Sequence, residues 1–168
     1  INNYDVTFYI GHYVGWTDTL KGEKGTLDLA FHVLDYNEER ARKQFAVVKD
    51  MIRCFEYWMG PYPFYEDGYK LVEAPYLGME HQGAIAYGNK YKMGYKGMDR
   101  SWTGHGLKWD YIIIHESGHE LFGNNVTARD MADNWIHEGF TSYTEVLFTE
   151  CLLGKQKAME YSRGLWKL

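Results

Sequence analysis

The N-terminal part of the chain alternates apolar and polar residues in two segments, residues 5–13 and 26–34. This period of two is typical of strands with one buried face. The second segment carries an apolar residue at every other position: Leu27, Leu29, Phe31 and Val33. Residues 22–25 begin and end with glycine and suit a turn. We therefore expect an antiparallel hairpin with a fairly long loop, inside a β-rich region over residues 1–34.

A helical period of three and four residues replaces this alternation over residues 38–59. The apolar stripe consists of Ala41, Phe45, Val48, Ile52, Phe55 and Met59. Asn37 suits the N-cap of such a helix, and Gly60 followed by Pro61 suits its end. The sequence therefore predicts one long amphipathic helix.

The most informative stretch follows three isoleucines and contains His115, Glu116 and His119 in the pattern H-E-x-x-H. Histidines four residues apart on a helix project from the same face, so both imidazoles can bind one ion. Glu116 then points beside that ion, where a carboxylate can take a proton from water. We therefore predict a metal-binding helix over residues 108–122 that ends near Gly123.

A third ligand is available at Glu138, which residues 120–137 separate from His119. It falls in a segment, residues 133–153, that predicts a second helix. Two histidines and one glutamate leave a coordination position open for water, as in catalytic zinc sites. The alternative is that the motif is accidental and both histidines make ordinary hydrogen bonds. The position of Glu138 argues against that alternative.

Residues 69–87 are predicted to be mostly extended and contain the run Gly78-Met79-Glu80. Glycine inside a strand often marks the close approach of another backbone. A substrate peptide could add there as an extra strand, with Glu80 facing a cationic group such as its α-amine. A solvent-exposed glutamate in a turn is the open alternative. Residues 89–106 are polar and rich in glycine, which predicts a loop or lid before the metal-binding helix.

Composition narrows the class of protein. The chain has 168 residues, of which 45% are hydrophobic and 17% aromatic, so we expect one domain or a large part of one. A net charge of −5 without a cluster of Lys and Arg argues against a nucleic-acid partner. No apolar run reaches the length of a membrane span. Cys54 and Cys151 fall in helical stretches and are expected to be buried free thiols.

With these segments assembled, the chain resembles the M1 family of zinc aminopeptidases, the gluzincins related to aminopeptidase N and leukotriene A4 hydrolase. The matching positions are His115 to His119, Gly123, Asn124, Val126, Thr127, Asp133, Trp135, Glu138-Gly139-Phe140 and Gly78-Met79-Glu80. The resemblance implies an α+β, thermolysin-like peptidase fold in which an N-terminal mixed β-sheet packs on the helices of the zinc site. Residues 1–168 would form a truncated part of that catalytic domain.

The resemblance also implies the metal and its ligands. In that family one zinc ion is bound by two histidines and a glutamate, which correspond here to His115, His119 and Glu138. A further glutamate two helical turns past the third ligand supports the site from outside the metal. Glu145 matches that position.

The roles of the remaining site residues follow from the same resemblance. Glu116 corresponds to the family's general base. Glu80, with Gly78 and Met79 before it, corresponds to the segment that binds a peptide substrate by its free N-terminus. These residues together imply an exopeptidase rather than a protease that cuts inside chains.

The chain departs from the family at His81 and His137, where the family usually has asparagine. Both changes add a titratable group near the expected site. The tyrosine that stabilises the family's tetrahedral intermediate and the family's N-terminal β domain would lie outside residues 1–168. We therefore expect the remaining domains of a parent chain as partners.

The sequence thus predicts a zinc-dependent aminopeptidase that removes N-terminal residues from peptides through a zinc-activated water. Two alternatives stay open. A thermolysin-type endopeptidase would have the same metal site but would need no free amine, so Glu80 argues against it. A non-catalytic scaffold would keep zinc for structure or for peptide binding, and the intact Glu116 argues against that.

Overall fold

The computed structural model describes residues 2–166, which build a five-stranded mixed sheet and the helices packed on it. The strands are β1 (Tyr13–Gly22), β2 (Gly25–Leu34), β3 (Tyr69–Glu73), β4 (Gly78–Met79) and β5 (Ile85–Tyr87). Their order across the sheet is β1-β2-β3-β5-β4. The inner pairs β2/β3 and β3/β5 are parallel, and the outer pairs β1/β2 and β4/β5 are antiparallel. β4 is therefore an edge strand.

The hairpin of β1 and β2 has a shorter turn and a different first strand than predicted. The alternating apolar residues of β2 are buried as expected: Leu27, Leu29, Phe31 and Val33. Only Glu23 and Lys24 separate the paired ends, and Gly25 adopts φ +120°. Because so short a turn fixes the register, β1 and not residues 5–13 pairs with β2. Residues 6–10 form no regular element, so the strand predicted there is wrong.

The helix predicted over residues 38–59 occurs as two nearly continuous helices, α1 (Glu38–Phe45) and α2 (Val47–Met59), on either side of Ala46. The predicted stripe is buried at Ala41, Phe45, Val48, Ile52 and Phe55. α2 ends at Gly60, whose φ is +85°. The Asn37 side chain does not cap the helix, because its amide donates to Glu73 Oε1 at 2.7 Å. That bond ties the start of α1 to β3.

The helix predicted over residues 108–122 is shorter at both ends and forms α3 (Tyr111–Gly118). It begins where the Asp110 carboxylate accepts a hydrogen bond from Ile112 N at 3.1 Å. Past the helix, the Phe122 carbonyl turns back towards His119 Nδ1 at 3.0 Å, and the backbone continues in irregular turns. Gly123, with φ +136°, therefore lies within those turns and does not end the helix.

The second predicted helix, residues 133–153, is α4 (Trp135–Leu153), which a turn at Met131–Asp133 precedes and α5 (Lys155–Leu165) follows. α4 packs against α3 on one side and α5 on the other. The predicted α+β class with a mixed sheet packed on helices is confirmed. No helix within residues 2–166 combines the length and apolar character needed to cross a membrane.

Cys54 and Cys151 form a disulfide, so the expected pair of free thiols is wrong. Cys54 lies on α2 and Cys151 on α4, with Cα atoms 6.1 Å apart, within the usual range for a disulfide. The helical pattern correctly predicted that both residues lie on helices. It contains no information on how the helices that carry these cysteines, which are 97 residues apart, pack together. The bond joins the helix beside the hairpin to the helix that carries Glu138.

Removing this disulfide should destabilise the protein. In the full-length protein, the double variant Cys54→Ser/Cys151→Ser should lose about 2–5 kcal/mol of unfolding free energy, because the unfolded chain regains the freedom of a long loop. Denaturant unfolding with and without a reducing agent measures the loss. Reductant should destabilise the wild type by a similar amount and leave the double variant unchanged. An equal effect of reductant on both proteins would contradict the assignment.

Candidate metal centre

α3 and α4 bring three potential metal ligands together. His115 lies on α3 and His119 directly follows its last residue, one turn further along, with the two ring centroids 4.9 Å apart. Glu138, near the start of α4, has carboxylate oxygens 3.5 Å from His115 Nε2 and 3.7 Å from His119 Nε2. One donor atom from each residue lies within 4.8 Å of the other two. The convergence expected from the sequence spacing is therefore present.

The other ring nitrogen of each histidine is held by a partner of its own. His115 Nδ1 lies 2.9 Å from Glu145 Oε1 on α4. His119 Nδ1 lies 3.0 Å from the Phe122 carbonyl and 3.1 Å from Thr141 Oγ1. Partners that accept from Nδ1–H leave Nε2 unprotonated and free to ligate, which is the usual arrangement in metal sites. Two imidazole nitrogens and a carboxylate also match the ligands that zinc prefers. These residues therefore fit a zinc ion.

The charges around His115 favour a cation at this point. Burial lowers the pKa of His115, but hydrogen bonds with Glu138 and Glu145 and the nearby charge of Glu116 outweigh burial and raise that pKa to about 10. The hydrogen bond with His115 in turn lowers the pKa of Glu138. A divalent cation placed here would be attracted by the same carboxylates.

Glu116 lies buried between the histidine pair and β4, with 7% of its surface exposed. Burial raises the pKa of Glu116 to about 8, although the charge of His115 opposes this. Its Oε1 faces the α-carbon of Gly78, where an added Cβ would lie only 2.5 Å away. Glycine is therefore required at residue 78 for the carboxylate to occupy this space. A buried carboxylate of this kind can accept and return a proton near neutral pH.

Glu80 lies in the same cleft, directly after β4. One oxygen of Glu80, one of Glu116 and one nitrogen of His119 lie within 4.8 Å of one another. The backbone carbonyl of Glu80 accepts a hydrogen bond from Asn124 Nδ2 at 2.7 Å, which fixes the end of the strand. Met79, just before it, pairs with β5 on the inner side of β4. The residues singled out from the run Gly78-Met79-Glu80 thus form one wall of the cleft.

The two histidines that depart from the M1 pattern are both buried and both hydrogen-bonded. His81 Nε2 lies 3.3 Å from Tyr76 OH, and His137 Nε2 accepts from Ala128 N at 2.9 Å. Neither belongs to a group of donor atoms close enough to hold a metal within residues 2–166. In this structure they act as hydrogen-bonding residues beside the site.

Two tyrosines that the sequence did not single out contact residues of this cluster. Tyr111 OH lies 3.1 Å from His115 Nδ1, and its ring stacks on the imidazole at 5.0 Å between centroids. Tyr161 on α5 donates to Glu145 Oε2 at 2.7 Å. The spacing of Tyr111, one turn before His115, was a usable signal. Nothing in the sequence indicates Tyr161, because its contact depends on how α5 packs against α4.

Comparison with known proteins identifies a family model that covers most of the chain. The model described as the peptidase family M1 domain matches residues 43–167. Among curated proteins, aminopeptidase N of Plutella xylostella is 26% identical over 137 residues, which are 81% of this chain and 13% of that protein.

Solved structures have a similar fold. Aminopeptidase A of Legionella pneumophila, in complex with aspartic acid, matches 86% of this chain and 17% of its own, with a TM-score of 0.69 at 18% identity. A mutant of the M1 zinc metallopeptidase of Deinococcus radiodurans, bound to the substrate Tyr-Ser-Ala, matches 89% of this chain and 31% of its own, with a TM-score of 0.62 at 24% identity. The present chain thus spans less than a third of each of these relatives.

Glu145 should matter for metal affinity although it is not among the three converging donors. In the full-length protein, Glu145→Gln keeps the shape of the side chain but removes the charge that polarises His115, so zinc affinity should fall about tenfold or more. Competition with a chromophoric chelator measures this. Glu150→Gln, on the same helix, is the matched control and should leave the affinity unchanged. Equal affinities of the two variants would contradict the role of Glu145.

Proposed function

This chain belongs to peptidase family M1, and from that membership we propose that it carries the catalytic centre of a zinc-dependent aminopeptidase. The observation that carries the proposal is the cluster of Glu80, Glu116 and His119, whose donor atoms lie within 4.8 Å of one another. The Glu80 carboxylate, which can bind a free amine, thus lies beside the Glu116 carboxylate, which can transfer a proton. That combination suits the removal of one residue from the N-terminus of a peptide.

In this proposal His115, His119 and Glu138 hold one zinc ion. When bound, zinc supplies Lewis-acid chemistry, because it polarises the carbonyl of the scissile bond and lowers the pKa of water. Glu145 keeps the His115 ring oriented through its contact with Nδ1 at 2.9 Å. The Phe122 carbonyl, 3.0 Å from His119 Nδ1, orients the His119 ring in the same way.

Glu116 is proposed as the general base. It takes a proton from the attacking water and passes that proton to the nitrogen of the leaving amine. Burial raises the pKa of Glu116 and so makes its carboxylate a stronger proton acceptor than an exposed glutamate. The absence of a side chain at Gly78 leaves the space that the Glu116 carboxylate occupies.

Glu80 is proposed to bind the protonated α-amine of the substrate. A peptide held there can pair with the free edge of β4 through main-chain hydrogen bonds. Its first peptide bond then lies beside Glu116 and the metal ligands. Because Glu80 holds the amine next to the reacting groups, the first peptide bond is the one that is cleaved, and a single N-terminal residue is released. An endopeptidase with the same metal ligands would not depend on this contact.

A comparison of free and blocked peptides tests the proposal. The full-length protein should cleave a peptide with a free amine, and acetylation of that amine should lower kcat/KM about 100-fold or more, since the half-buried carboxylate of Glu80 loses its partner. A metal chelator should abolish cleavage, and added zinc should restore it. Equal cleavage of both peptides would instead indicate an endopeptidase. No cleavage by zinc-loaded protein would indicate a non-catalytic scaffold.

Replacement of Glu116 separates catalysis from metal binding. Glu116→Gln should lower kcat about 100- to 10,000-fold, because the proton acceptor is lost. Zinc content should stay at the wild-type level, because the three proposed ligands are intact. Metal analysis and peptide hydrolysis on the same sample measure both, with the exposed Glu66→Gln as control. Substantial hydrolysis by Glu116→Gln would refute its role as the base.

A further inference from the structure

A groove beside the start of β4 carries three lysines that are not involved in the proposed chemistry. We call it the basic groove, and its walls are Tyr76, Leu77, Gly88, Lys90, Lys92 and Lys96. Its volume is about 350 Å³, within the range of small-ligand sites. The three lysines are exposed, and none of them is paired with a carboxylate within the part of the chain that the structure describes. The groove is therefore positively charged and open to an anion.

The backbone that carries these lysines is held in place by Asn89, whose side chain is buried. Asn89 Nδ2 donates to the carbonyl oxygens of Lys92 and Gly94 at 2.7 and 2.8 Å, and its Oδ1 accepts from Lys96 N at 2.9 Å. Lys90 and Lys96 adopt φ of +56° and +55°, which side chains rarely tolerate. Such a conformation persists only where the surroundings enforce it. The lysines thus project from a fixed loop.

Asn89 also connects the basic groove to α3, the helix that carries His115 and Glu116. Asn89 Nδ2 also lies 2.8 Å from Asp110 Oδ1, and Asp110 caps the start of α3. β4 runs in the same direction as α3, because Gly78 lies against Glu116 while Glu80 lies near His119. The residues before Gly78 therefore lead from the cleft towards the start of α3. The basic groove lies at that end.

A peptide bound as proposed above would be directed into this groove, so the inference rests on the proposed function. If Glu80 holds the amine and Glu116 acts on the first peptide bond, the substrate runs antiparallel to β4. The Leu77 carbonyl accepts a hydrogen bond from Gly88 N at 2.8 Å, so it points towards the β5 side of the sheet. Because backbone groups alternate in direction along a strand, the N–H and C=O of Gly78 point to the free edge of β4. At roughly 3.3 Å per residue, the second or third residue after the cleaved bond reaches Tyr76 and the groove.

We propose that the basic groove binds a carboxylate on the downstream part of the substrate and so sets the enzyme's preference among peptides. That carboxylate can come from an aspartate or glutamate side chain two or three residues after the cleaved bond. It can also be the C-terminal carboxylate of a short peptide. Both have the charge and the planar oxygens that lysine ammonium groups bind.

Four peptides with the same first two residues separate these sources. Three of them have an amidated C-terminus and carry neutral residues, glutamates or lysines at the second and third positions after the cleaved bond. The fourth has neutral residues and ends at the second or third position with a free C-terminal carboxylate. In the full-length protein, the glutamate peptide, the free-acid peptide or both should exceed the neutral amide in kcat/KM by roughly three- to tenfold, as expected for exposed ion pairs. The lysine peptide should be the poorest, and added salt should reduce the differences.

Charge reversal in the basic groove is the decisive comparison. Lys90→Glu/Lys92→Glu should abolish the preference for carboxylates while the neutral amide is cleaved at nearly the wild-type rate. Lys21→Glu/Lys24→Glu, in the distant hairpin, makes the same change in net charge and should keep the preference. Equal loss in both double variants, or no preference in the wild type, would overturn the proposal. Failure to cleave any free-amine peptide would instead contradict the proposed function itself.

Discussion

The close contact between α3 and α4 is the constraint on which the site depends. Gly118 permits it, because a Cβ there would lie 2.5 Å from Thr144 Oγ1 and 3.1 Å from Thr141 Cγ2. At this separation Glu138 reaches His115 Nε2 while Glu145, two turns further along the same helix, reaches His115 Nδ1. A wider spacing would disrupt both contacts at once. The convergence of the three donor residues therefore follows from the packing of two helices as much as from the residues' identity.

A second glycine fixes the other wall of the cleft. Gly78 lets the edge strand approach Glu116 closely, so the carboxylate is buried between strand and helix, and its pKa rises to about 8. Asp110 links this wall to the rest of the fold, because it caps α3 and also binds Asn89 and Tyr87. The same network thus contributes to the position of α3, the end of β5 and the loop of the basic groove. One hydrogen-bond network therefore connects the cleft and the groove.

The sequence was most informative where chemistry depends on local spacing. His115 and His119 are one helical turn apart, so their convergence could be predicted without knowledge of the fold, and the spacing and helical context of Glu138 indicated the third ligand. Long-range features could not be predicted in this way. The hairpin register depended on a turn of two residues, Glu23 and Lys24. The disulfide and the contact of Tyr161 with Glu145 depended on helix packing. The three lysines of the basic groove lie within seven residues of the sequence, but the loop conformation that Asn89 holds through Lys92 O and Lys96 N could not be read from that spacing.

We propose that His115, His119 and Glu138 form the zinc site. A crystal structure of the zinc-loaded full-length protein, with data on both sides of the zinc absorption edge, tests this assignment. We expect one anomalous peak bound by His115 Nε2, His119 Nε2 and a Glu138 oxygen, with Glu116 outside the coordination sphere. A peak bound by Glu80, Glu116 and His119, the other set of donors within 4.8 Å of one another, would contradict it.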